Sequence, residues 1–258
     1  MKYINKQNLN IESCIESFND PSKPYRYLVI DDFFNPEIFD EFSKSYPTLD
    51  DNKWYKFRDT FHGEDNVFEK GMMGISNKEQ LPSTCLNIIN ELNSDSFLNV
   101  LKSITGLKGL LKDTHNDIGQ WAGIRAMVPG AYQSIHSDAR KHPHLGIEKR
   151  ITLVGYLNKE WTEKDSGYTE VWNNDMTKCV DKVAPKYNRV LIFENTEKSY
   201  HGVPEVKNYR KTFLTSYLLN TENFNETRPK ARFVKRPNEK NVELWDKLSK
   251  IRENLNDY

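Results

Sequence analysis

The chain has 258 residues, with 37 basic against 37 acidic side chains and a formal net charge of zero. Well-mixed charge of no net sign leaves no electrostatic footprint for nucleic acid or for an acidic membrane surface. The mean hydropathy is -0.78, and no apolar run reaches the roughly 18 residues of a transmembrane helix. Met1-Lys2-Tyr3-Ile4-Asn5-Lys6 lacks the apolar stretch of a secretory signal. Cys14, Cys85 and Cys179 lie far apart without C-x-x-C spacing, as ordinary reduced thiols of a cytoplasmic protein would.

In chain order, residues 1–23 are polar and read as a loosely docked lead-in. Tyr25-Arg26-Tyr27-Leu28-Val29-Ile30 is aromatic and β-branched, which predicts a strand. Asn35 then stands as an N-cap and Pro36 at the first helical position. That helix carries Ile38, Phe39 and Phe42 on one stripe and stops before Pro47. Residues 51–76 hold Trp54, Tyr55, Phe57, Phe61, Met72 and Met73 without clean periodicity, so they read as a long irregular connection of the kind that forms lids. His62, inside it, has no partner spacing and reads as a surface histidine.

Two helices are expected next. One runs from Leu81 to Leu92 with Leu86, Ile89 and Leu92 inward. The other follows Ser94, buries Phe97, Leu98, Leu101 and Ile104, and stops at Gly106. After Gly119 come short β-rich runs: Gly123–Val128, Tyr132–His136, Arg150–Leu157, Thr169–Trp172, Arg189–Phe193 and Arg210–Leu219. Strands this short and this frequent imply a sandwich or barrel. A last helix is expected from Asn241 to Leu255, with Leu244, Trp245, Leu248, Ile251 and Leu255 on one face. Packing of that face on the domain is the first reading and a dimer contact the second. No repeat or linker divides the chain, so one domain with a helical front and a β core is expected.

The chemistry concentrates between Gln133 and Lys211. His136 and Asp138, two residues apart on an extended strand, point to the same side. His201 can supply a third ligand if its strand neighbours theirs. Two His and one carboxylate leave one side of an octahedral metal open, the ligand set of non-haem Fe(II) oxygenases. Nine positions past His201, Arg210 offers a permanently charged fork for a carboxylate. Blander readings stand beside these: His136 with Asp138 as a surface pair, His201 as a turn residue before Gly202, and Arg210 as a solvated charge. In that last case Lys211 or Arg150 could clamp the carboxylate instead. The same three ligands could also hold zinc. His142-Pro143-His144 resembles a second metal motif, but its basic surroundings make a surface loop the better reading. His115 has no partner, and Arg125, Tyr132 and Trp172 could face a substrate from near the mouth of a barrel.

Taken in order, His136-x-Asp138, Ile151-Thr152-Leu153-Val154-Gly155-Tyr156-Leu157-Asn158-Lys159-Glu160-Trp161, Ser166-Gly167, Pro185-Lys186-Tyr187-Asn188-Arg189-Val190-Leu191-Ile192-Phe193, His201 and Arg210-Lys211 resemble the 2-oxoglutarate/Fe(II)-dependent dioxygenases. Within them the match is to the prolyl-hydroxylase-like branch, over roughly residues 100–220, with Leu28–Phe34 similar to the family's lead-in. The resemblance implies an α+β, β-rich fold: a double-stranded β-helix (jelly-roll, cupin-like) core with helices from the N-terminal half packed on it. It divides residues 1–258, a single oxygenase domain, into a helical front (1–118), the jelly roll (119–220) and a C-terminal extension (221–258).

The resemblance also assigns His136, Asp138 and His201 to iron, and Arg210 to the distal carboxylate of 2-oxoglutarate, with the Tyr156 phenol beside it. Tyr156 shares a strand face with Thr152 and Val154, so it can point into a barrel that Ile151, Leu153 and Leu157 do not line. Fe(II), 2-oxoglutarate as cosubstrate and O2 follow, with ascorbate as the reductant in vitro. The chain departs from the family at Gly167-Tyr168, where paired glycines are usual. It departs again at Ala126 and Met127, where the branch carries an aromatic residue. The implied reaction is hydroxylation of a peptidyl, prolyl-type residue. The alternatives are the same chemistry on a free small molecule, favoured by an enclosed pocket with charged groups opposite the iron, and a jelly-roll metal-binding protein without oxygenase activity. No nucleic-acid or membrane partner is expected, and a monomer or a homodimer is.

Overall fold

The structure is a computed structural model that describes residues 1–57, 59–113, 122–142, 144–221, 224 and 231–253. The front half contains α1 (Ile11–Phe18), β1 (Tyr27–Ile30), α2 (Pro36–Ser45), β2 (Tyr55–Lys56), β3 (Thr60–Phe61), β4 (Glu64–Asp65), β5 (Glu69–Ile75), α3 (Ser83–Leu92) and α4 (Asp95–Thr105). The strands β6 (Leu110–Lys112), β7 (Gly123–Ser137), β8 (Glu148–Tyr156), β9 (Thr169–Trp172), β10 (Cys179–Val183), β11 (Val190–Glu194), β12 (His201–Val203), β13 (Arg210–Leu219) and β14 (Arg232–Val234) follow. The helix α5 (Val242–Glu253) comes last.

Twelve of the described strands form one antiparallel sheet, ordered β1-β11-β8-β13-β7-β12-β9-β10, with β5 and β14 also on β7. The sheet curls into a nearly closed jelly-roll barrel, in which β7 is the hinge. Its first half pairs with β13, Met127 opposite Arg210, and its second half pairs with β12, His136 opposite His201. The sequence pattern separates these halves at Pro129-Gly130. They form one strand because β5 runs along both, from Glu69 opposite Gln133 to Ile75 opposite Ile124.

That pairing corrects the reading of residues 51–76. They are not an irregular connection: β5 belongs to the main sheet, and Phe57, Val67, Phe68, Met73 and Ile75 are buried. Glu-Lys-Gly-Met-Met-Gly-Ile contains one β-branched residue, so neighbouring strands rather than propensity hold it extended. Gly71 sits at φ 64° where the register shifts, and a Cβ there would lie 2.8 Å from that of Ala131.

Helices α1 to α4 pack on one outer face of the barrel around Phe34, Phe39, Phe42, Phe97 and Phe213. Each such ring contributes about 1.5–3 kcal/mol by its burial. Phe213 lies on the bare backbone of Gly155, its partner across β8 and β13; a Cβ at Gly155 would meet the ring at 2.0 Å. The alternation along β8 is as expected: Ile151, Leu153 and Leu157 join this core, while Thr152 and Val154 line the barrel interior.

The lead-in is docked, not loose: Asn10 caps α1 by accepting from the Ser13 amide at 3.1 Å, and Ile4, Cys14 and Phe18 are buried. Asn35 precedes α2 as expected, but its side chain donates to the Lys2 carbonyl instead of capping. In α3 the buried stripe is Cys85, Ile88, Ile89 and Leu92, leaving Leu86 half-buried. In α4 the expected stripe is buried, Ser94 Oγ accepts from the Phe97 amide at 3.2 Å, and Gly106 closes the helix at φ 73°. α5 packs Trp245 and Leu248 on Val67 and Phe68, the first reading of that helix; Leu255 lies outside the described residues.

Candidate metal centre and its cavity

His136 and His201 face each other across β7 and β12, ring centroids 4.2 Å apart, and Asp138 stands just past the end of β7. Each imidazole is anchored alike. His136 Nδ1 lies 2.9 Å from the Ser134 carbonyl oxygen, and His201 Nδ1 lies 2.9 Å from that of Ser199. A carbonyl only accepts, so each Nδ1–H donates and each Nε2 keeps its lone pair for a metal. Both Nε2 atoms converge on Asp138 Oδ1, at 3.3 and 3.7 Å. The three side chains offer ligand atoms all within 4.8 Å of one another, and they are the one such group among the described residues. With metal–nitrogen bonds of about 2.1 Å, cis donors sit about 3 Å apart, so the spacing fits one ion.

The protonation states suit a cation. Burial and the adjacent His136 ring push His201 down to about 4, so it is neutral near pH 7. Burial works against the Asp138 carboxylate, but Lys149 with the two imidazoles outweighs it and holds the group well below the usual range. Lys149 Nζ donates to Asp138 Oδ2 at 2.6 Å, which leaves Oδ1 for the metal. Two imidazoles and one carboxylate on one side of an ion fit Fe(II) with its remaining positions open.

These groups line a cavity of about 590 Å³, whose other wall carries Arg210. Buried at the start of β13, Arg210 donates through Nε to the Gly167 carbonyl at 2.8 Å and through Nη2 to Thr169 Oγ1 at 2.9 Å. Tyr156 Oη shares that Thr169 hydroxyl at 2.8 Å, and the guanidinium sits 5.4 Å from the Tyr156 ring centre. Burial raises the Tyr156 phenol, so it stays protonated near neutral pH. The family's usual glycine pair is unnecessary here: Gly167 makes the turn at φ 72°, and its carbonyl orients Arg210. The alternative clamps are engaged elsewhere. Arg150 pairs with Glu148 and Glu194 at 2.9 Å each, and Lys211 reaches over the Tyr46 ring outside the cavity.

The remaining histidines and aromatics separate cleanly. The segment is an exposed loop at Lys141 and His144–Gly146, as expected, but the His142 side chain is buried: Nε2 donates to Asp113 Oδ2 at 3.0 Å, while Nδ1 accepts from the Leu145 amide at 3.0 Å. It is a structural clip and joins no metal group among the described residues. His62 is exposed as expected, whereas His115 lies outside the described residues. Arg125 lines the cavity between Tyr55 and Phe57, but Tyr132 and Trp172 do not. Sequence reasoning missed Thr169, Lys149, Glu69 and Arg252, all cavity residues.

Comparison with known proteins agrees with this geometry. Residues 122–219 match the model of the 2OG-Fe(II) oxygenase superfamily. No curated protein sequence matches the chain. Among solved structures, a Pseudomonas putida prolyl-4-hydroxylase superposes with a TM-score of 0.59 at 14% identity, covering 82% of this chain and 100% of that one. A Trichoplax adhaerens prolyl hydroxylase in complex with a hypoxia inducible factor peptide fragment gives 0.55 at 16%, covering 83% and 90%. An oxidoreductase of the 2OG-Fe(II) oxygenase family from Burkholderia pseudomallei gives 0.52 at 16%, covering 81% and 90%. Fold and site together define a 2-oxoglutarate-dependent, Fe(II)-dependent dioxygenase. The likeness to the 2OG-Fe(II) oxygenase superfamily thus spans residues 122–219, and the fold is the one seen in structures of prolyl hydroxylases.

Proposed function

We propose that the chain, acting over residues 1–258 as one oxygenase domain, hydroxylates an unactivated C–H bond: substrate, O2 and 2-oxoglutarate give hydroxylated substrate, succinate and CO2. The observation that carries this reading is the convergence of His136, His201 and Asp138 in the same cavity as Arg210 and Thr169, with Tyr156 fully buried behind that pair and bonded to the Thr169 hydroxyl. Iron bound with 2-oxoglutarate supplies the oxidising chemistry, in which one oxygen atom of O2 enters succinate and the other the product. The protein's own contribution is positional. His136 and His201 turn Nε2 toward the metal position because the Ser134 and Ser199 carbonyls hold their Nδ1 atoms. Lys149 occupies Asp138 Oδ2 and so favours ligation through Oδ1 alone. Arg210 presents its guanidinium to the distal carboxylate of the cosubstrate, with the phenol of Tyr156 beside it. Phe193, Val203 and Leu214 are apolar walls that keep water from the reacting atoms.

The charge pattern of the cavity favours a free small molecule as substrate. Besides the groups already assigned, Lys56, Glu69, Arg125 and Arg252 face the interior, more charge than an apolar ring in a peptide needs. A peptidyl, prolyl-type residue is the second reading, supported by the likeness of the fold to structures that are themselves prolyl hydroxylases.

The test is succinate formation from 2-oxoglutarate with Fe(II), O2 and ascorbate, for wild type beside His136→Ala and Arg210→Ala. Iron-dependent succinate that vanishes in His136→Ala and needs far more 2-oxoglutarate in Arg210→Ala is the expected result. A purified protein that holds zinc and turns over no 2-oxoglutarate would make it a jelly-roll metal protein of another activity.

A further inference from the structure

One wall of the cavity carries an acid and a base that iron and 2-oxoglutarate do not use. Glu69 projects from β5, opposite Gln133 and thus three residues short of His136 along β7. Burial raises its carboxyl, while the charges of His136 and Arg252 and a hydrogen bond from the Gln133 side chain pull it back down. Arg252 comes from the other end of the chain, on α5. Its guanidinium stands over Phe233 at 4.9 Å and Phe68 at 5.5 Å, and Nη2 donates to the Ala231 carbonyl at 3.3 Å.

The two are near enough to bias each other's ionisation. Even so, among the described residues no cationic nitrogen comes within ion-pair distance of Glu69. A carboxylate and a guanidinium that face one cavity without closing on each other leave both charges partly desolvated, which is costly unless something bridges them. An α-amino acid head group has the complementary order. Its ammonium offers three donors to a carboxylate, and its carboxylate matches the planar fork of an arginine. Phe68 and Phe233 hold that fork in place by cation–π contact.

We propose that Glu69 and Arg252 form a head-group site for a free α-amino acid, the ammonium on Glu69 and the carboxylate on Arg252, with the substrate side chain left to reach the metal centre. Gln133 orients Glu69 for this role. The proposal rests on the oxygenase reading and names its substrate class. Blocking either end of the head group removes one of the two charges that the wall recognises, so N-acetylated and amidated amino acids bind poorly, and so does an internal peptide residue.

The experiment uses the full chain with Fe(II) and 2-oxoglutarate. Free L-amino acids, their N-acetyl and amide forms, and a proline-containing peptide are scored in two ways: by perturbation of the anaerobic iron–cosubstrate absorbance and by aerobic succinate formation. At least one free amino acid should shift the absorbance and raise succinate formation, and its blocked forms should bind at least roughly 10- to 100-fold more weakly. Glu69→Gln should weaken that amino acid by a similar factor, Arg252→Met should do the same, and Arg252→Lys should restore part of the loss. The absorbance itself, recorded for every variant, reports that the loaded site is assembled. Equal response to free and blocked forms, or an intact absorbance that no free amino acid perturbs, overturns the head-group site and leaves the oxygenase reading standing. Failure of the absorbance to form in the wild type overturns both.

Discussion

The two ends of the cavity hold their charges in opposite ways. At the proposed cosubstrate end Arg210 is anchored by the protein itself: the Gly167 carbonyl and the Thr169 hydroxyl fix its plane, and Tyr156 sits against it. At the other end Glu69 and Arg252 face the same space without meeting, held by Gln133 on one side and by aromatic rings on the other. The first arrangement suits a ligand that never changes, since a pre-positioned fork loses little freedom on binding. The second suits a ligand that brings both charges itself. One cavity thus carries a fixed charge and an unbridged pair of charges, with His136, Asp138 and His201 on its lining as well.

The comparison can be broken most severely at the metal. Lys149→Met frees Asp138 Oδ2 from its 2.6 Å partner, and a lost outer-shell contact of this kind costs about 10- to 100-fold in metal affinity. Anaerobic Fe(II) titration measures this, and an unchanged affinity would show that Asp138 needs no such orientation. At the cosubstrate end, Thr169→Val removes the hydroxyl shared by Arg210 and Tyr156. The KM for 2-oxoglutarate should rise about tenfold with little change in kcat, as expected for one neutral hydrogen bond to a charged partner.

The smallest effect is on stability against pH. His201 in the folded protein titrates at about 4, below the usual value near 6.5, so between those values the unfolded chain binds the extra proton. Stability of the metal-free protein therefore falls as pH drops through that window, by at most about 3 kcal/mol from this group. Thermal melts from pH 7.5 to 5 check it, and His201→Asn should flatten the slope.

The same division explains what could be read in the sequence. The candidate site was legible because period-2 alternation puts His136 and Asp138 on one side of an extended segment, and because His201 and Arg210 stand beside recognisable β runs. The helix that buries Phe97, Leu98, Leu101 and Ile104 announced itself by its Ser94 cap and Gly106 stop. Glu69 and Arg252 carried no comparable signal. Glu69 lies in a strand rich in Gly and Met that only long-range pairing with Gln133 and Ile124 keeps extended. Arg252 sits on a helix whose apolar stripe predicts packing but not which charge meets a cavity. Thr169 and Lys149 were hidden for a related reason, since each matters through a partner outside its own strand, Arg210 or Asp138. The burial of His142 inside its loop was not legible because its partner, Asp113, is remote in sequence.

The most direct test of the account is the anaerobic absorbance of the protein with Fe(II) and 2-oxoglutarate, compared among wild type, Asp138→Ala and Arg210→Ala. The account predicts a charge-transfer band in the wild type, none in Asp138→Ala, and in Arg210→Ala a band that appears only at 2-oxoglutarate concentrations roughly 100-fold higher. A wild-type protein that binds Fe(II) yet gives no band at any 2-oxoglutarate concentration would contradict it.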